Sequence, residues 1–431
     1  MRIVTWNVNG LRSLIKDTQS IDNLFEQLNA DVVCFQESRL SENEMRAEFI
    51  PSEYDVFMTF CTKNSGYAGV CTFVRRSLLP EKSYLSIQAI FHLVNFELDE
   101  KYDDELIQEC DQEGRVLLLE YSNVFILNIY FPAGIETSRT QFRRKFYELV
   151  QDIVVLLKQK KKHLILLGDF NTTCGILDSA YMLNDAETNG FVESFRSMSE
   201  WLEFLLLSEK SGGVGLVDVY RVLHPTERTA YTCFSTQLGG RKNNFGTRID
   251  YILCDESLRD AIQTCSILST MTGSDHLPVT ADIRLDLTTE GKGCPGLRKK
   301  IGSQHKIHQF FAKKSTVRAM VPVTKSVSGH WSCPFCTFEN ADENKACEMC
   351  GSKRRKRESE GDVPIDRFFG GKRKVNSIPL CSGHHLRCVR HQVTKEGKNN
   401  GRFFYTCSLP IGFRNDPNAR CNFFQWEDEI K

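Results

Sequence analysis

Apolar, often β-branched residues form short runs through the first two thirds of the chain, a pattern typical of β-strands. The clearest runs lie at 3–4, 32–35, 124–129 and 163–167. Between 138 and 162 the spacing changes to that of an amphipathic helix, with apolar positions at Phe142, Phe146, Leu149, Val150 and Ile153. This patterning continues to about residue 287 and predicts a folded domain of strands and helices over residues 1–287.

Beyond residue 287 the apolar patterning stops, and the remaining chain predicts linkers that join small modules. Residues 288–329 are rich in Lys, Gly, Ser and Thr, and residues 354–378 form a second, basic linker. Nine cysteines before residue 300 are scattered, several of them within apolar runs, as in the reduced core of an intracellular protein. The other eight lie after residue 330, and this clustering predicts metal-binding modules.

Four polar segments carry the candidate chemistry: Trp6–Gly10, Gln36–Glu37, Gly168–Asn171 and Ser274–His276. The first three each follow a predicted strand, and strand ends are where active-site side chains collect. Any one of these segments alone is more often an ordinary turn. Their joint occurrence brings together the residue types that metal-assisted hydrolysis of a phosphodiester requires.

That reaction needs a hard cation, an oriented water and a group that stabilises charge on the phosphate. Glu37 suits Mg²⁺, which prefers carboxylate oxygens. Asp169 and the amide of Asn171 offer an acceptor and an orienting donor for the water. His276 suits the phosphate if a carboxylate fixes its tautomer or keeps it protonated, and Asp250 is the candidate.

These segments, together with Tyr130–Pro132 and Arg248–Tyr251, make residues 1–287 resemble the class II abasic-site endonucleases of the exonuclease-endonuclease-phosphatase superfamily. The resemblance implies a DNase I-like, four-layer α/β sandwich, with two mixed sheets face to face and helices outside. It implies catalytic roles for Asn7, Tyr130, Asp169, Asn171, Asp250 and His276. It also implies Mg²⁺ or Mn²⁺ held by Glu37 with help from Asn9, Asp169, Asn171 and Asp275.

In that family Asp169 and Asn171 position the water, Asn7, Tyr130 and His276 contact the phosphate, and Asp250 orients His276. Cys233, Phe234 and Ile249 are expected near an extruded sugar.

Two departures occur at the predicted reaction centre. The family archetype has Asp where this chain has Asn9, and it has Asn in the turn where this chain runs Pro132–Gly134. Because a missing carboxylate weakens a Mg²⁺ site without removing its main ligand, we expect activity that needs high metal concentrations. Asn9 and the long tail point to the second eukaryotic subtype, which is better known for cleaning 3′ ends than for abasic incision.

Two other functions remain open from the sequence. Phosphatases of the same superfamily act on inositol phosphates or lipid head groups, but they carry Trp-Cys-Asp-Arg where this chain has Thr247–Asp250. A scaffold with a weakened catalytic site is the other alternative, favoured by Asn9 and Ala133 and opposed by the remaining catalytic set.

Composition narrows the setting of the protein. The 431 residues carry a net charge of zero, with basic clusters at 158–162, 353–357 and 372–374. The cluster at 353–357 predicts a nuclear address or a phosphate-attracting linker, and a smaller mitochondrial or cytoplasmic pool remains open. No apolar stretch reaches the roughly 18 residues of a membrane span. Because the first predicted catalytic strand begins at Arg2, we expect no cleavable secretory or transit peptide. We expect a monomer that binds DNA and not membranes.

The segment 304–311 fits the peptide pattern that binds the sliding clamp PCNA. Gln304 leads it, and one helical turn would align Ile307, Phe310 and Phe311 as an apolar plug. The segment 362–369 repeats the spacing with Asp in place of Gln. The two segments predict a bivalent tether to a trimeric clamp.

Residues 330–353 resemble the Trp-led zinc fingers of the Ran-binding-protein type. Their C-x2-C pairs predict a zinc site of four thiolates, Cys333, Cys336, Cys347 and Cys350. Thr337, Phe338 and Met349 match the ubiquitin-binding branch of that family. A purely structural finger is the alternative.

Residues 379–429 resemble the GRF zinc finger, which implies zinc at Cys381, His384, Cys407 and Cys421 and a surface for single-stranded DNA. His385, Cys388 and His391 remain rival ligands. The candidates for DNA contact are basic and aromatic, since phosphate attraction and base stacking are sequence-tolerant. They are Arg387, Arg390, Lys395, Lys398, Arg402, Phe403, Phe404 and Arg414.

Overall fold

Two facing six-stranded sheets form the centre of the protein. The computed structural model describes residues 1–18, 20–64, 66–96, 101–133, 139–185, 193–236, 238–298, 330–332, 339–341, 378–393, 399–413 and 416–429. At 184–185, 193–198, 330–332 and 339–341 it describes the backbone alone. The described chain forms two units, 1–309 with 378–431 and 310–377.

The strands and helices follow one another closely along the first unit. The strands of its catalytic part are β1 Arg2–Asn7, β2 Val32–Gln36, β3 Tyr54–Thr59, β4 Val70–Arg75, β5 Lys82–Tyr84, β6 Val116–Glu120, β7 Val124–Tyr130, β8 His163–Asp169, β9 Leu216–Asp218, β10 Cys233–Phe234, β11 Gly246–Thr247, β12 Asp250–Asp255, β13 Ile262–Ile267 and β14 Val279–Ile283. The helices are α1 Leu11–Thr18, α2 Ile21–Leu28, α3 Ile87–Val94, α4 Asp104–Glu113, α5 Thr140–Lys158, α6 Ala180–Asp185, α7 Glu193–Leu206 and α8 Val219–Leu223.

One sheet has the order β13-β14-β1-β2-β4-β3 and the other β5-β6-β7-β8-β12-β9. In each sheet one central pair is parallel, β1 with β2 and β7 with β8, whereas the neighbouring pairs are antiparallel. Both sheets are therefore mixed, as the resemblance implies.

Alternating side chains of each strand enter two different cores. Ile3 and Leu117 pack between the sheets, whereas Val4 packs under α1 and α2 and Leu118 packs under α3, α4, α5 and α7. This arrangement of helices, sheet, sheet and helices confirms the predicted four-layer sandwich. Because both faces of each sheet are covered, the strands appear in the sequence as continuous apolar runs.

A polar contact joins the two sheets inside the apolar centre. Gln36 on β2 donates from Nε2 to Oδ1 of Asn128 on β7, at 2.7 Å. Asn128 in turn donates to the carbonyl oxygen of Cys71 at 3.1 Å, and both amides are fully buried. Since a buried amide is costly unless it is hydrogen-bonded, this pair favours one alignment of the two sheets.

Two boundaries differ from the sequence prediction. The helix predicted over 138–162 is shorter and spans Thr140–Lys158, because the chain turns at Lys161, whose φ is +56°; Lys158 pairs with Asp255 at 2.8 Å and Lys162 with Glu120 at 2.8 Å. Packing also continues past residue 287. Gly296 donates its N–H to Asp55 at 2.9 Å and Arg298 donates to the carbonyl oxygen of Tyr54 at 2.9 Å, so the domain extends to residue 298.

The C-terminal finger (379–429) has a three-stranded antiparallel sheet of its own. Its strands are β17 Val389–Gln392, β18 Phe403–Thr406 and β19 Phe424–Trp426, in that order. Buried Cys381, Cys388, Tyr405 and Cys407 form its small core. In the other unit, β15 His330–Ser332 pairs antiparallel with β16 Glu339–Ala341. None of the described helices is long and apolar enough to cross a membrane.

Candidate active site

The predicted catalytic residues lie where strands of both sheets end. Asn9, Glu37 and Asn171, which follow β1, β2 and β8, have φ angles of +49°, +50° and +50°. This left-handed region is unfavourable for a residue with a side chain, least so for Asn and Asp, and such strain collects at functional sites. The turns direct three polar side chains back across the strand ends.

Asn7 links the two sheets at the centre of the site. Its Nδ2 donates to Oε1 of Glu37 at 2.8 Å and to Oδ2 of Asp169 at 2.8 Å. Its Oδ1 accepts the N–H of Asn9 at 3.1 Å. Both amide protons are thus used, so in this arrangement Asn7 spaces the two carboxylates and has no N–H left for a phosphate.

Glu37 is held as a carboxylate although it is mostly buried. Burial alone raises its pKa, but the hydrogen bond from Asn7 and the charge of Arg39 outweigh burial and lower the pKa below its ordinary value. Arg39 Nε donates to Glu37 Oε2 at 3.0 Å. Arg39 is half exposed beside the site, with its own φ at +50°.

Asp169 sits deeper and behaves differently. It is 1% exposed, and it accepts hydrogen bonds from Asn7 and from the backbone N–H of Asn171 at 2.9 Å. Burial raises its pKa to about 7; the charge of His276 opposes this rise and that of Asp250 adds to it. A carboxyl group with a pKa near neutrality is suited to accept a proton at physiological pH.

His276 and Asp250 form the predicted dyad. His276 Nδ1 lies 2.8 Å from Asp250 Oδ2, and the two side chains are 7% and 0% exposed. Burial alone lowers the pKa of the imidazole, but the Asp250 carboxylate outweighs burial and raises the pKa well above its usual value. Trp6 fixes the backbone, donating from Nε1 to the carbonyl oxygen of His276 at 3.0 Å. The Asp250 carboxylate therefore favours the protonated form of His276.

Tyr130 lies beside the carboxylates of Glu37 and Asp169 in the site. Burial and the neighbouring carboxylates of Glu37 and Asp169 raise the pKa of its phenol well above the ordinary value, so it remains a hydrogen-bond donor. The guanidinium of Arg115 lies 4.6 Å from the centre of the Tyr130 ring, and Arg115 pairs with buried Glu113 at 2.6 Å. This cation holds the ring from behind.

The oxygen donors at the mouth of the site suit a hard divalent cation. The lowered pKa of Glu37 favours its carboxylate form, and Asp275 lies beside Asn9, whose Nδ2 donates to Asp275 Oδ1 at 2.8 Å. Mg²⁺ and Mn²⁺ prefer carboxylate and amide oxygens, so the chemistry of these residues fits the ion that the family uses. The side-chain amide of Asn9 directs an N–H toward Asp275. A carboxylate at position 9 would instead offer the cation a further ligand.

A cavity of about 330 Å³ opens beside the dyad. Its lining includes Tyr181, Cys233, Phe234, Thr236, Thr247 and Asp275. Two of the expected sugar-pocket residues, Cys233 and Phe234, thus line it. Ile249 does not line this cavity, and its backbone N–H donates to the hydroxyl of Thr232 at 3.1 Å.

Sequence reasoning missed several residues that support the site. Ser274 and Arg248 belong to segments that carry the family resemblance, and Arg39 lies two residues after Glu37, so all three could have been weighed. The hydroxyl of Ser274 donates to the carbonyl oxygen of Asn7 at 2.7 Å and accepts the N–H of His276 at 3.1 Å. Arg115 carried no local signal. Arg248, 1% exposed, bonds both oxygens of Asp178 at 2.8 and 2.9 Å and anchors the start of β12.

The C-terminal finger brings its four predicted zinc ligands together. The ligand atoms of Cys381, His384, Cys407 and Cys421 all lie within 4.8 Å of one another. Burial alone raises the pKa of Cys381, but backbone N–H groups donate to its sulfur and lower the pKa to about 6. A thiolate-rich tetrad of this kind fits structural zinc. Of the rival ligands, His391 bonds the hydroxyl of Thr406 at 2.9 Å.

Two arginines of the finger lie over its aromatic rings. Arg390 lies 3.5 Å from the ring centre of Phe403, and Arg402 lies 3.9 Å from that of Trp426. Phe404 stacks on Phe424, which is 52% exposed. Phe424 and Trp426 were missed, although the alternation of aromatic residues on β19 was a signal.

Two ion pairs reduce the positive charge of these arginines. Arg390 pairs with Glu427 at 2.5 Å and Arg402 with Asp428 at 2.8 Å. Arg387 is exposed.

Several predictions fall outside the described residues. These are both clamp-binding segments (304–311 and 362–369), the side chains of the first finger including Cys333, Cys336, Cys347, Cys350, Thr337, Phe338 and Met349, and Lys395, Lys398 and Arg414.

Known proteins resemble this chain over its whole length. DNA-(apurinic or apyrimidinic site) endonuclease 2 of Mus musculus is 28% identical, and that of Homo sapiens 26%, each over 99% of this chain and 99% of the relative. The exodeoxyribonuclease of Bacillus subtilis is 31% identical over 66% of this chain and 100% of its own length.

The fold has a solved counterpart. The crystal structure of the Xenopus laevis APE2 catalytic domain aligns with a TM-score of 0.59 and 27% identity, over 69% of this chain and 96% of that domain. Residues 379–430 match the GRF zinc finger, and residues 4–276 match the endonuclease/exonuclease/phosphatase family. The chain therefore belongs to the endonuclease/exonuclease/phosphatase family and carries a GRF zinc finger at its C-terminal end.

Proposed function

We propose that the protein is a metal-dependent DNA repair nuclease. It hydrolyses phosphodiesters at 3′ ends, as a 3′-5′ exonuclease and 3′-phosphodiesterase, and more weakly at abasic sites. The observation that carries the proposal is the joint position of Glu37, Asp169 and the His276–Asp250 dyad around Asn7. The names of the relatives, DNA-(apurinic or apyrimidinic site) endonuclease 2 and exodeoxyribonuclease, support DNA as the substrate.

In the proposed reaction, Asp169 orients a water molecule and accepts its proton, and the N–H of Asn171 keeps the receiving oxygen in place. Protonated His276 and the phenol of Tyr130 donate to the phosphate oxygens, where negative charge develops. Asp250 keeps His276 protonated.

Glu37 would hold the cation, with Asp275 assisting. When bound, the divalent ion, Mg²⁺ or Mn²⁺, neutralises charge on the phosphate. Because Asn9 contributes an amide and no carboxylate, we expect a weak hold on the ion. This weak metal site makes the protein a less efficient abasic endonuclease than a family member with a carboxylate at that position.

The tail would direct the enzyme to replicating DNA in the nucleus. Segments 304–311 and 362–369 would bind PCNA, the finger at 330–353 would hold zinc and bind ubiquitin, and the C-terminal finger would bind zinc and single-stranded DNA. We propose that the protein acts as a monomer.

The test is cleavage of end-labelled duplexes by the full chain with Mg²⁺ or Mn²⁺. One duplex has a recessed 3′ end and the other an internal abasic site. Glu37→Ala should slow both reactions about a hundredfold or more, because metal stabilisation of the transition state is worth several kcal/mol. The matched control is Glu48→Ala, since Glu48 is an exposed carboxylate in the connection between β2 and β3.

Metal-dependent shortening of the 3′ end that is lost in Glu37→Ala and kept in Glu48→Ala would support the proposal. If neither duplex is cut while inositol phosphates or lipid head groups lose phosphate, the protein is a phosphatase of the same family. If none of these substrates reacts, the scaffold function remains.

A further inference from the structure

The C-terminal finger is not only joined to the catalytic domain by a linker; it also contacts that domain. Its residues 409–413, here called the docking segment, follow the zinc-ligand candidate Cys407 directly. The backbone N–H of Ile411 donates to the carbonyl oxygen of Leu238 at 2.8 Å. Asn243 Nδ2 donates to the carbonyl oxygen of Ile411 at 3.1 Å. Two hydrogen bonds therefore fix the docking segment on the loop that precedes β11.

The same segment contributes to an apolar cluster of the catalytic domain. Ile411 and Phe413 pack against a buried group that includes Phe234, Phe245 and Leu277. The rings of Phe413 and Phe245 meet edge to face, with 5.5 Å between their centres. The cluster is thus built jointly by the two domains.

A small residue makes this close approach feasible. A Cβ on Gly412 would lie 2.8 Å from the Cβ of Ala419 in the finger and 2.9 Å from Nδ2 of Asn243 in the catalytic domain. These distances leave no space for a side chain, so the two domains meet at van der Waals contact here.

The cluster lies directly behind the reaction centre. Leu277 is the residue after His276, and the N–H of Phe234 donates to the carbonyl oxygen of Asp275 at 3.0 Å. Phe234 also lines the cavity beside the dyad. Burial raises the pKa of Tyr181 on the cavity wall, and the charge of the finger's Arg420 partly opposes this rise, so Arg420 brings positive charge to the same wall.

We infer that the docking segment fixes the C-terminal finger as part of the substrate-binding surface, so that the finger holds the single-stranded portion of a nucleic acid whose end lies in the active site. The inference rests on the proposed function. A finger that was only tethered would raise the local concentration of DNA, whereas a docked finger also sets the direction of the strand. A linker keeps the two parts together, so a small interface is sufficient for docking.

Ile411→Asp in the full chain tests the inference by placing a carboxylate in the joint apolar cluster. Asn243→Asp is the matching change on the catalytic side, because it turns an acceptor toward the carbonyl oxygen of Ile411 and leaves the finger unaltered. Leu380→Asp is the control, since Leu380 is 54% exposed on the finger and lies outside the docking segment.

Three measurements separate the possible results. Hydrogen exchange of the peptide covering 238–245 reports docking without DNA or metal. Fluorescence anisotropy with a short single-stranded oligonucleotide reports binding by the finger. The rate of nucleotide removal from a recessed 3′ end reports the coupling of the two.

Both docking variants should increase exchange in 238–245 and slow nucleotide removal at least about fivefold. Asn243→Asp should keep oligonucleotide affinity within about twofold, and Leu380→Asp should match the parent in all three assays. Cleavage at the parental rate by both variants, with increased exchange, would overturn the inference. So would parental exchange in both variants. If the parent itself cuts no DNA, the proposed function fails, and the exchange and anisotropy measurements still decide whether the docked finger exists.

Discussion

Asn9 offers the sharpest test of how this site holds its cation. Asn9→Asp restores the carboxylate that the family archetype has at this position. The backbone tolerates the change, because Asn9 has a φ of +49° and Asp adopts the left-handed region almost as readily as Asn. The change therefore alters charge and hydrogen bonding with little strain.

The magnitude follows from the distance to Asp275. The Asn9 Nδ2 atom lies 2.8 Å from Asp275 Oδ1, so a carboxylate in its place would bring two negative charges to nearly that distance. Their repulsion is about 1.5 kcal/mol at the dielectric constant of water and about 6 kcal/mol at an effective value of 20. Asp275 is half-buried, which favours the lower part of this range.

A bound divalent cation would cancel this repulsion. The metal-free variant should therefore be less stable than the parent, with a Tm about 2–3 °C lower in EDTA for about 1.5 kcal/mol. The same free energy should strengthen metal binding, so the Mg²⁺ concentration for half-maximal cleavage should fall at least about tenfold.

The assay pairs thermal unfolding, with EDTA or Mg²⁺, with a Mg²⁺ titration of 3′-end cleavage. Asn9→Ala is the control, because it removes the donor to Asp275 without adding charge and should never lower the Mg²⁺ requirement. If Asn9→Asp needs as much Mg²⁺ as the parent and is equally stable in EDTA, Asn9 does not lie where a cation binds, and the reasoning is refuted.

Four further predictions address the rest of the protein. Asp250→Asn should leave His276 with a pKa at or below its ordinary value, because burial alone lowers it. Single-turnover cleavage at neutral pH should then slow about a hundredfold, equivalent to about 3 kcal/mol. A rate near that of the parent would contradict the role of the dyad. At limiting metal, the cleavage rate should rise with pH through about 7 as Asp169 loses its proton. This rise should move to lower pH as the cation saturates its site. A rate that falls between pH 6 and 8 would exclude Asp169 as the base. Arg115→Met should lower the free energy of unfolding in urea by about 1.5–3 kcal/mol, because buried Glu113 loses one of its two arginine partners and keeps only Arg139, and an unchanged midpoint would show that the Arg115 pair is dispensable. Cys407→Ser should abolish oligonucleotide binding by the finger but keep the thermal transition of the catalytic domain, and intact binding would remove Cys407 from the zinc site.

The sequence predicted the parts of the structure that depend on local patterns. The strands that end at Asn7, Gln36 and Asp169 were predictable because both faces of each sheet are covered, which leaves continuous apolar runs. The family resemblance then supplied the layers and the arrangement of sheets. Contacts beyond the predicted domain end at residue 287 could not be predicted in this way, because they include backbone hydrogen bonds such as that from the N–H of Cys294 to the carbonyl oxygen of Pro80.

Contacts between distant parts of the chain were not predictable in the same way. Arg115 lies behind Tyr130 because β6 and β7 are neighbours, and Arg248 reaches Asp178 across 70 positions of sequence. Ile411 meets Asn243 across 168 positions. Each of these pairs requires the register of whole sheets or the docking of a second domain, and neither is present in a local window of sequence.

The topology explains why the candidate site lies where it does. Among the described strands, parallel pairing occurs in β1 with β2 and in β7 with β8, one pair at the centre of each sheet. Parallel neighbours bring their carboxyl ends to the same edge, so one sheet presents Asn7 and Glu37 while the other presents Tyr130 and Asp169.

Register is decisive in such an arrangement, because a slip of one residue would turn each of these side chains to the opposite face. The buried bond between Gln36 and Asn128 joins the two parallel pairs next to the site. It therefore favours the alignment in which Asn7 reaches both carboxylates. In this way, the sheet-to-sheet contact supports the spacing on which the chemistry depends.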